Sequence, residues 1–274
     1  MATAIFTIEC PAEDSRTYVN SRTYVNSRTY VNSRTYVDSK INVYGPRNDI
    51  MLQSDIDFFD CNSEWFVVER KLPHWVQAGA VCFVTWRVAD SLPLKVLNEL
   101  DRQIAELLRS NDLDDIGDWK HELRRRDPTQ RGRIQWNLFA IRDRFLDAGY
   151  GDCLLALPNC SRIVLDGLCK FDEDRYFLTD LVIMPNHVHF MAAFRDEQEF
   201  LKQCTDWKRY MAREINRSVG RRGDFWQVDQ FDHLIRSPDQ FDHYRRYIAN
   251  NPSQAKLPED RFRHYQKQWN NGTT

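Results

Sequence analysis

Residues 181–190 read Leu-Val-Ile-Met-Pro-Asn-His-Val-His-Phe, and the reading of the whole chain turns on them. A run of Leu, Val and Ile that stops at Pro-Asn is a buried strand breaking into a turn. The next strand opens at His187 and continues His-Val-His-Phe-Met-Ala-Ala-Phe to Phe194. Side chains alternate across a strand, so His187 and His189 share one face while Val188 and Phe190 share the other. Two imidazoles on one face can share a metal ion. The competing reading is a pair of surface histidines on a half-exposed strand. A further ligand and a reacting group elsewhere in the chain decide between them.

Residues 241–252, Phe-Asp-His-Tyr-Arg-Arg-Tyr-Ile-Ala-Asn-Asn-Pro, supply both. Ser237, Pro238 and Asp239 give an N-cap with proline at the first helical position. Phe241, Tyr244, Ile248 and Asn251 recur at helical intervals, and Pro252 is expected to end the helix. Tyr247 and Asn251 are four residues apart, so the phenol and the amide project together from one face. A tyrosine on a helix is ordinarily core packing, and only its company here raises it to a candidate nucleophile.

Met184-Pro-Asn-His-Val-His189 resembles the His-hydrophobic-His motif of small single-strand DNA transposases. Tyr247-Ile-Ala-Asn-Asn-Pro252 resembles the Tyr-Ile-x-x-Asn-Pro helix of the REP-associated tyrosine transposases. The motifs occur in the family's order, and the resemblance spans roughly residues 70–255. It implies a ferredoxin-like fold and a metal-dependent transposase that nicks and rejoins single-stranded or hairpin DNA. By position, His187 and His189 match the metal-binding pair, Asn251 the third polar ligand and Tyr247 the nucleophile, which would form a 5′-phosphotyrosine. Mg²⁺ or Mn²⁺ is the implied ion, and imidazole suits Mn²⁺ better. Both monomeric and homodimeric action occur among such proteins, and either is compatible with the sequence. The alternatives are a non-catalytic binder of single-stranded or hairpin DNA, and a metal-dependent hydrolase in which the tyrosine is structural.

Composition bounds these readings. The 274 residues carry 38 Lys and Arg against 40 Asp and Glu, a net charge of −2, which excludes a protein that coats nucleic acid over its whole surface. The charge is uneven: from Lys202 onward there are 14 Lys and Arg against nine Asp and Glu. With 42% hydrophobic and 13% aromatic residues the chain has enough apolar mass for a packed core. No apolar run approaches the roughly 18 residues of a membrane span. Nor does a charged-then-apolar signal segment open the sequence. Seven cysteines, at 10, 61, 82, 153, 160, 169 and 204, lack Cys-x-x-Cys spacing. Reduced thiols in the cytoplasm are the expectation.

In chain order, residues 15–38 are four hexapeptides of the Ser-Arg-Thr-Tyr-Val-Asn type. Residues 1–70 are expected to form a flexible repeat tail and an arm. A catalytic domain is expected over 71–255 and a tail over 256–274. The core is expected to begin with a turn at Leu72–Trp75, followed by a strand over 79–88. Ser91 then caps a helix from Leu94 to Arg109 with a stripe of Leu97, Leu100, Ile104, Leu107 and Leu108. A charged segment near 111–150 (Lys120, Arg124, Arg125, Arg126, Arg131, Arg133) is interleaved with Trp119, Trp136 and Phe139 and reads as a helical insertion. A short helix over 161–171 and a strand over 175–184 lead to the histidines. The helix over 196–217 carries Lys208, Arg209 and Arg213, which together with Arg236, Arg245 and Arg246 are the expected DNA contacts. Trp207 or Trp226 is expected to stack on bases. The order suits an α+β fold, a ferredoxin-like antiparallel sheet with helices packed on one face.

Overall fold

The structure, a computed structural model, describes residues 24–26, 56–60, 62–69, 73–113, 119–228 and 230–268. The hexapeptide repeats therefore lie outside the described residues, except for strand β1 (Tyr24–Asn26), which pairs in parallel with β2 (Phe66–Glu69). Strand β2 pairs antiparallel with β3 (Pro73–Val76), so the expected turn at Leu72–Trp75 is largely a strand.

Next come β4 (Val81–Arg87), the helices α1 (Leu94–Arg109), α2 (Trp119–Arg124) and α3 (Pro128–Asp147), and a 3₁₀ turn at Leu154–Ala156. They are followed by α4 (Pro158–Cys169), β5 (Tyr176–Ile183), β6 (His187–Phe194), α5 (Glu197–Val219), β7 (Phe231–Leu234), α6 (Pro238–Gln254) and β8 (Arg263–Gln266). The main sheet runs β7-β4-β6-β5-β8, and every pairing in it is antiparallel. Its first four strands have the ferredoxin-like order, with β8 added at the edge.

All eight residues of β5 and all eight of β6 are buried, so both faces of the sheet are covered. On one face Val84, Trp86, Val188, Phe190 and Ala192 pack against α4 and α5 through Val164, Leu168, Trp207, Met211 and Ile215. On the other face Val81, Phe83, Val182 and Met191 meet Tyr244, Tyr247 and Ile248 of α6 and Phe139 of α3. The two-helix layer of the ferredoxin-like frame is thus joined by a second layer, and that layer faces the histidines.

The charged segment is a helical unit with its own small core. Leu100, Ile104 and Leu108 of α1 pack with Ile134, Leu138 and Phe145 of α3. The Asp127 side chain caps α3 by accepting from Thr129 N and Gln130 N.

Several expectations need correcting. Trp207 and Trp226 are buried in the core, and the Trp207 indole donates to Gly167 O at 3.0 Å, so neither ring is free to stack on bases. Ser91 does not cap α1; its hydroxyl has no partner among the described residues, and Pro93 occupies the cap position. Helix α6 continues through Pro252 to Gln254, because a proline in the last turn forfeits only one backbone bond. Residues 263–266 are no tail but β8, paired with β5 from Asp180–Gln266 to Ile183–Arg263. Part of the expected arm also belongs to the body: Phe59 is buried and its N–H donates to Ile235 O at 2.7 Å.

One irregularity fixes how α6 sits. A bulge between Leu178 and Asp180 shifts the β5–β6 register by one residue. Leu178 and Leu181 both face the α4–α5 side as a result, while Asp180 turns toward α6. There its fully buried carboxylate accepts from Arg245 Nε at 3.1 Å and Gln266 Nε2 at 2.8 Å. Removing one partner of a buried ion pair leaves a charge uncompensated, at a cost of about 3–5 kcal/mol. With Gln266 still in place, Arg245→Ala is expected to lower stability by about 3 kcal/mol in urea unfolding. Asp180→Asn combined with Arg245→Ala should cost less than the two single changes added. Additive losses would show that the pair does not anchor α6.

Candidate active site

Met184, Pro185 and Asn186 connect β5 to β6, and the turn is closed by Met184 N donating to His187 O at 2.9 Å. Both turn carbonyls are held, Pro185 O by Leu155 N at 3.1 Å and Asn186 O by Val88 N at 2.9 Å. The Asn186 amide nitrogen donates to Tyr150 O at 3.0 Å, which leaves its Oδ1 2.8 Å from His187 Nδ1. An amide oxygen only accepts, so Nδ1 of His187 carries the proton and Nε2 presents a lone pair. Burial, and then the neighbouring His189, push the His187 pKa down to about 3, so this ring is neutral at ordinary pH.

His189 is fixed in a parallel manner. Its Nδ1 lies 2.8 Å from the Thr85 hydroxyl, across the β4–β6 pairing that sets Thr85 opposite His189. Phe83 stacks on the ring at a centroid distance of 5.4 Å. Both histidines are completely buried, which disposes of the half-exposed surface pair. Their ring centroids are 4.7 Å apart.

Helix α6 brings the other two expected residues to the same place. The Tyr247 hydroxyl lies 3.5 Å from His189 Nε2, and Asn251 Nδ2 donates to it at 3.3 Å. Phe83, Trp136 and Phe139 surround the Tyr247 ring. Tyr244 packs on Phe83 and His233 instead, on the same helix but off the histidine pair.

Two carboxylates of α3 join these residues. Asp143 Oδ1 is 3.2 Å from His189 Nε2, while its Oδ2 accepts from the Tyr247 hydroxyl and from Asn251 Nδ2 at 3.4 Å. One turn further along α3, Asp147 Oδ1 lies 3.8 Å from His187 Nε2. Burial opposes ionisation of Asp143, yet the His189 ring beside it outweighs burial and keeps its pKa below the ordinary value. Burial, and then the charge of Asp143, push Asp147 up to about 8. Burial, and then Asp143, push the Tyr247 phenol well above its ordinary range, so it holds its proton in this arrangement. The sequence signal was Phe139, Asp143 and Asp147 at successive spacings of four, a stripe on one helical face.

These residues fit a cation. Asp143, His187 and His189 each offer a ligand atom, all within 4.8 Å of one another. Asp143 Oδ1, Asp147 Oδ1, His187 Nε2 and Asn251 Oδ1 are all buried without a hydrogen-bond partner among the described residues. Four unpartnered acceptor atoms converging in one buried place are what a positive ion relieves.

The expected DNA contacts are not gathered around this centre. Lys208, Arg209 and Arg213 lie on α5, behind the opposite face of the sheet, with Lys208 Nζ donating to Gln227 O at 3.2 Å. Arg236 donates to Leu234 O at 3.1 Å and lies over the Phe59 ring, and Arg245 is held by Asp180. Arg246 is exposed, next to Tyr247 in the chain. Two cations that the sequence reading passed over stand nearer. Arg87 pairs in register with His187, and Arg142 precedes Asp143 on α3. Burial lowers the pKa of both, Arg142 to about 10 with the charge of Arg87 adding to the effect.

No protein-family model and no curated protein matches this sequence. Among solved structures, the chain is similar to a REP-associated tyrosine transposase bound to a REP hairpin. The TM-score is 0.38 and the identity 14%, over 68% of this chain and 74% of that one.

The Thr85 contact generates a test of the site. A group that orients a metal-binding imidazole typically accounts for about 10- to 100-fold of metal affinity. Thr85→Val keeps the shape and removes the hydroxyl, so Mn²⁺ affinity in a calorimetric titration should fall by about tenfold or more. Unchanged affinity would mean that Thr85 does not set the ring.

Proposed function

We propose that this chain is a metal-dependent transposase that nicks single-stranded or hairpin DNA by attack of Tyr247 and rejoins it to another strand. The observation carrying this reading is the convergence of four residues from two distant segments. His187, His189, Tyr247 and Asn251 are all buried, with the phenol oxygen 3.5 Å from one imidazole and 3.3 Å from the amide. His187 and His189, with Asn251 Oδ1, would hold a Mg²⁺ or Mn²⁺ ion, which supplies charge stabilisation for the phosphate under attack.

The chain's own residues do the rest. Phe83, Trp136 and Phe139 fix the phenol ring, and Asn251 orients its hydroxyl. As the Tyr247 oxygen bonds to phosphorus, the phenol gives up its proton and the bond to the DNA 3′-oxygen breaks. That oxygen leaves with the electron pair and is protonated to a free 3′-hydroxyl. The 5′-phosphotyrosine retains a phosphodiester, so attack by another 3′-hydroxyl reverses the step without ATP. Arg87, in register with His187, and Arg142, next to Asp143, are cations placed by the strand pairing and by α3 where they suit a DNA phosphate.

Incubation with labelled single-stranded target and Mn²⁺ should leave the fragment downstream of the nick attached to the protein through its 5′-phosphate. Tyr247→Phe removes one hydroxyl and should abolish the adduct while DNA binding persists. Tyr244→Phe should retain it. Binding without any adduct in the wild-type protein would leave the non-catalytic binder as the function.

Substrate form gives a separate check. Hairpin or single-stranded DNA should bind more tightly than blunt duplex at equal salt. The logarithm of the binding constant should fall linearly with the logarithm of salt concentration, with a slope near −0.7 for each phosphate neutralised on a single strand. Tighter binding to blunt duplex would count against one tyrosine and one metal site making one nick.

A further inference from the structure

Resting on that reading, we propose that Asp143 joins the metal to the nucleophile: its Oδ1 is a ligand of the ion and its Oδ2 is the acceptor that fixes the Tyr247 phenol. The charged insertion is then part of the active site, because α3 is the helix that delivers this carboxylate.

Three observations carry the inference. First, the ligand set otherwise inferred is entirely neutral, two imidazoles and an amide. Mg²⁺ and Mn²⁺ favour hard oxygen donors, and a carboxylate offsets one of the ion's two charges. Asp143 offers such an oxygen within 4.8 Å of the imidazole ligand atoms, and that oxygen is buried without a hydrogen-bond partner. Second, the two oxygens are already divided between tasks. Oδ1 is turned to His189 Nε2 at 3.2 Å, while Oδ2 accepts from Tyr247 and from Asn251 Nδ2. Third, a merely structural buried carboxylate needs a cation or a full set of donors. Among the described residues no Lys or Arg pairs with Asp143. Its partners are the candidate nucleophile and the candidate ligands themselves.

The geometry also assigns Asn251 a position between the two functions. Its amide nitrogen touches both Asp143 Oδ2 and the phenol, and its Oδ1 is left unpartnered. A carboxylate bridging ion and phenol makes metal affinity and phenol orientation depend on one side chain. Asn251 braces that side chain from α6.

The test uses the full chain and reads Mn²⁺ binding by calorimetry beside adduct formation. Asp143→Asn keeps the shape and removes the charge. It should weaken Mn²⁺ binding by at least tenfold and slow adduct formation, while single-stranded DNA binding is retained. Tyr247→Phe should leave Mn²⁺ affinity within about twofold of wild type. Asp143→Cys puts a soft thiolate close to the same point, so Cd²⁺ should bind with a thiolate-to-metal charge-transfer absorption in excess of any that the native cysteines give in wild type. That signal reports ligation, and no purely structural role produces it. Wild-type Mn²⁺ affinity in Asp143→Asn, or no new absorption with Cd²⁺ in Asp143→Cys, overturns the proposal. If His187→Ala still loses Mn²⁺ in the same series, the strand-transfer reading survives and only the role of Asp143 falls. If His187→Ala binds Mn²⁺ as wild type does, the metal site itself is wrong.

Discussion

The register of β4 against β6 is the constraint on which the site depends. From Val81–Ala193 to Arg87–His187 the two strands pair residue for residue, and this sets Thr85 against His189 and Arg87 against His187. A slip of β6 by one residue would turn both histidines into the tryptophan-rich core under α4 and α5, and Val188 and Phe190 toward α6. Burial on both faces makes that slip costly, since it would exchange an apolar set for a polar one on each side. The sheet thus does more than support the histidines. It specifies which helix layer they meet.

Around them the chain concentrates polar groups that a folding optimum would avoid. Two imidazoles, two carboxylates four residues apart and a phenol share one buried place, and several of their atoms lack partners. Such groups cost on the order of 1–3 kcal/mol each when left unsatisfied. Aromatic packing from Phe83, Phe139 and Tyr244 provides an offsetting apolar shell around the same point. The anchoring of both Nδ1 atoms, by Asn186 and by Thr85, shows that the Nε2 atoms are oriented into the cluster by contacts outside it. That is the division of labour expected of a metal centre, where outer contacts fix the tautomer of inner ligands.

Much of this was legible in the chain because it rests on local periodicity. The alternation of His187-Val-His189 and the four-residue spacing of Tyr247 and Asn251 each fix a face, and the structure turns both faces to one point. The α1 stripe and the Ser237 cap of α6, whose hydroxyl accepts from Gln240 N at 3.2 Å, were legible for the same reason. What was not legible depends on tertiary packing. Trp207 looked available because tryptophans often serve as stacking platforms, yet its position on the apolar face of α5 sends it into the core. Arg245 looked like a phosphate clamp until the bulge in β5 turned Asp180 toward it. The bulge falls at Thr179 and Asp180, the two polar residues of an otherwise apolar strand, and their identity alone does not specify a register shift.

Asp143 was hidden for a related reason. The segment around it is dominated by arginines, and a charged helix reads as a solvated surface unless its apolar stripe is counted. Helix α3 in fact has two buried sides. Ile134, Leu138 and Phe145 pack on α1, while Phe139 reaches the sheet beside Phe83 and Tyr247. A helix carrying a carboxylate into a buried place has to be held against the electrostatic cost of bringing it there. Its packing on α1 supplies that hold from outside the sheet. This explains why the charged segment comes with a hydrophobic core of its own: the carboxylate is positioned by the leucines and phenylalanines that pack α3 on α1.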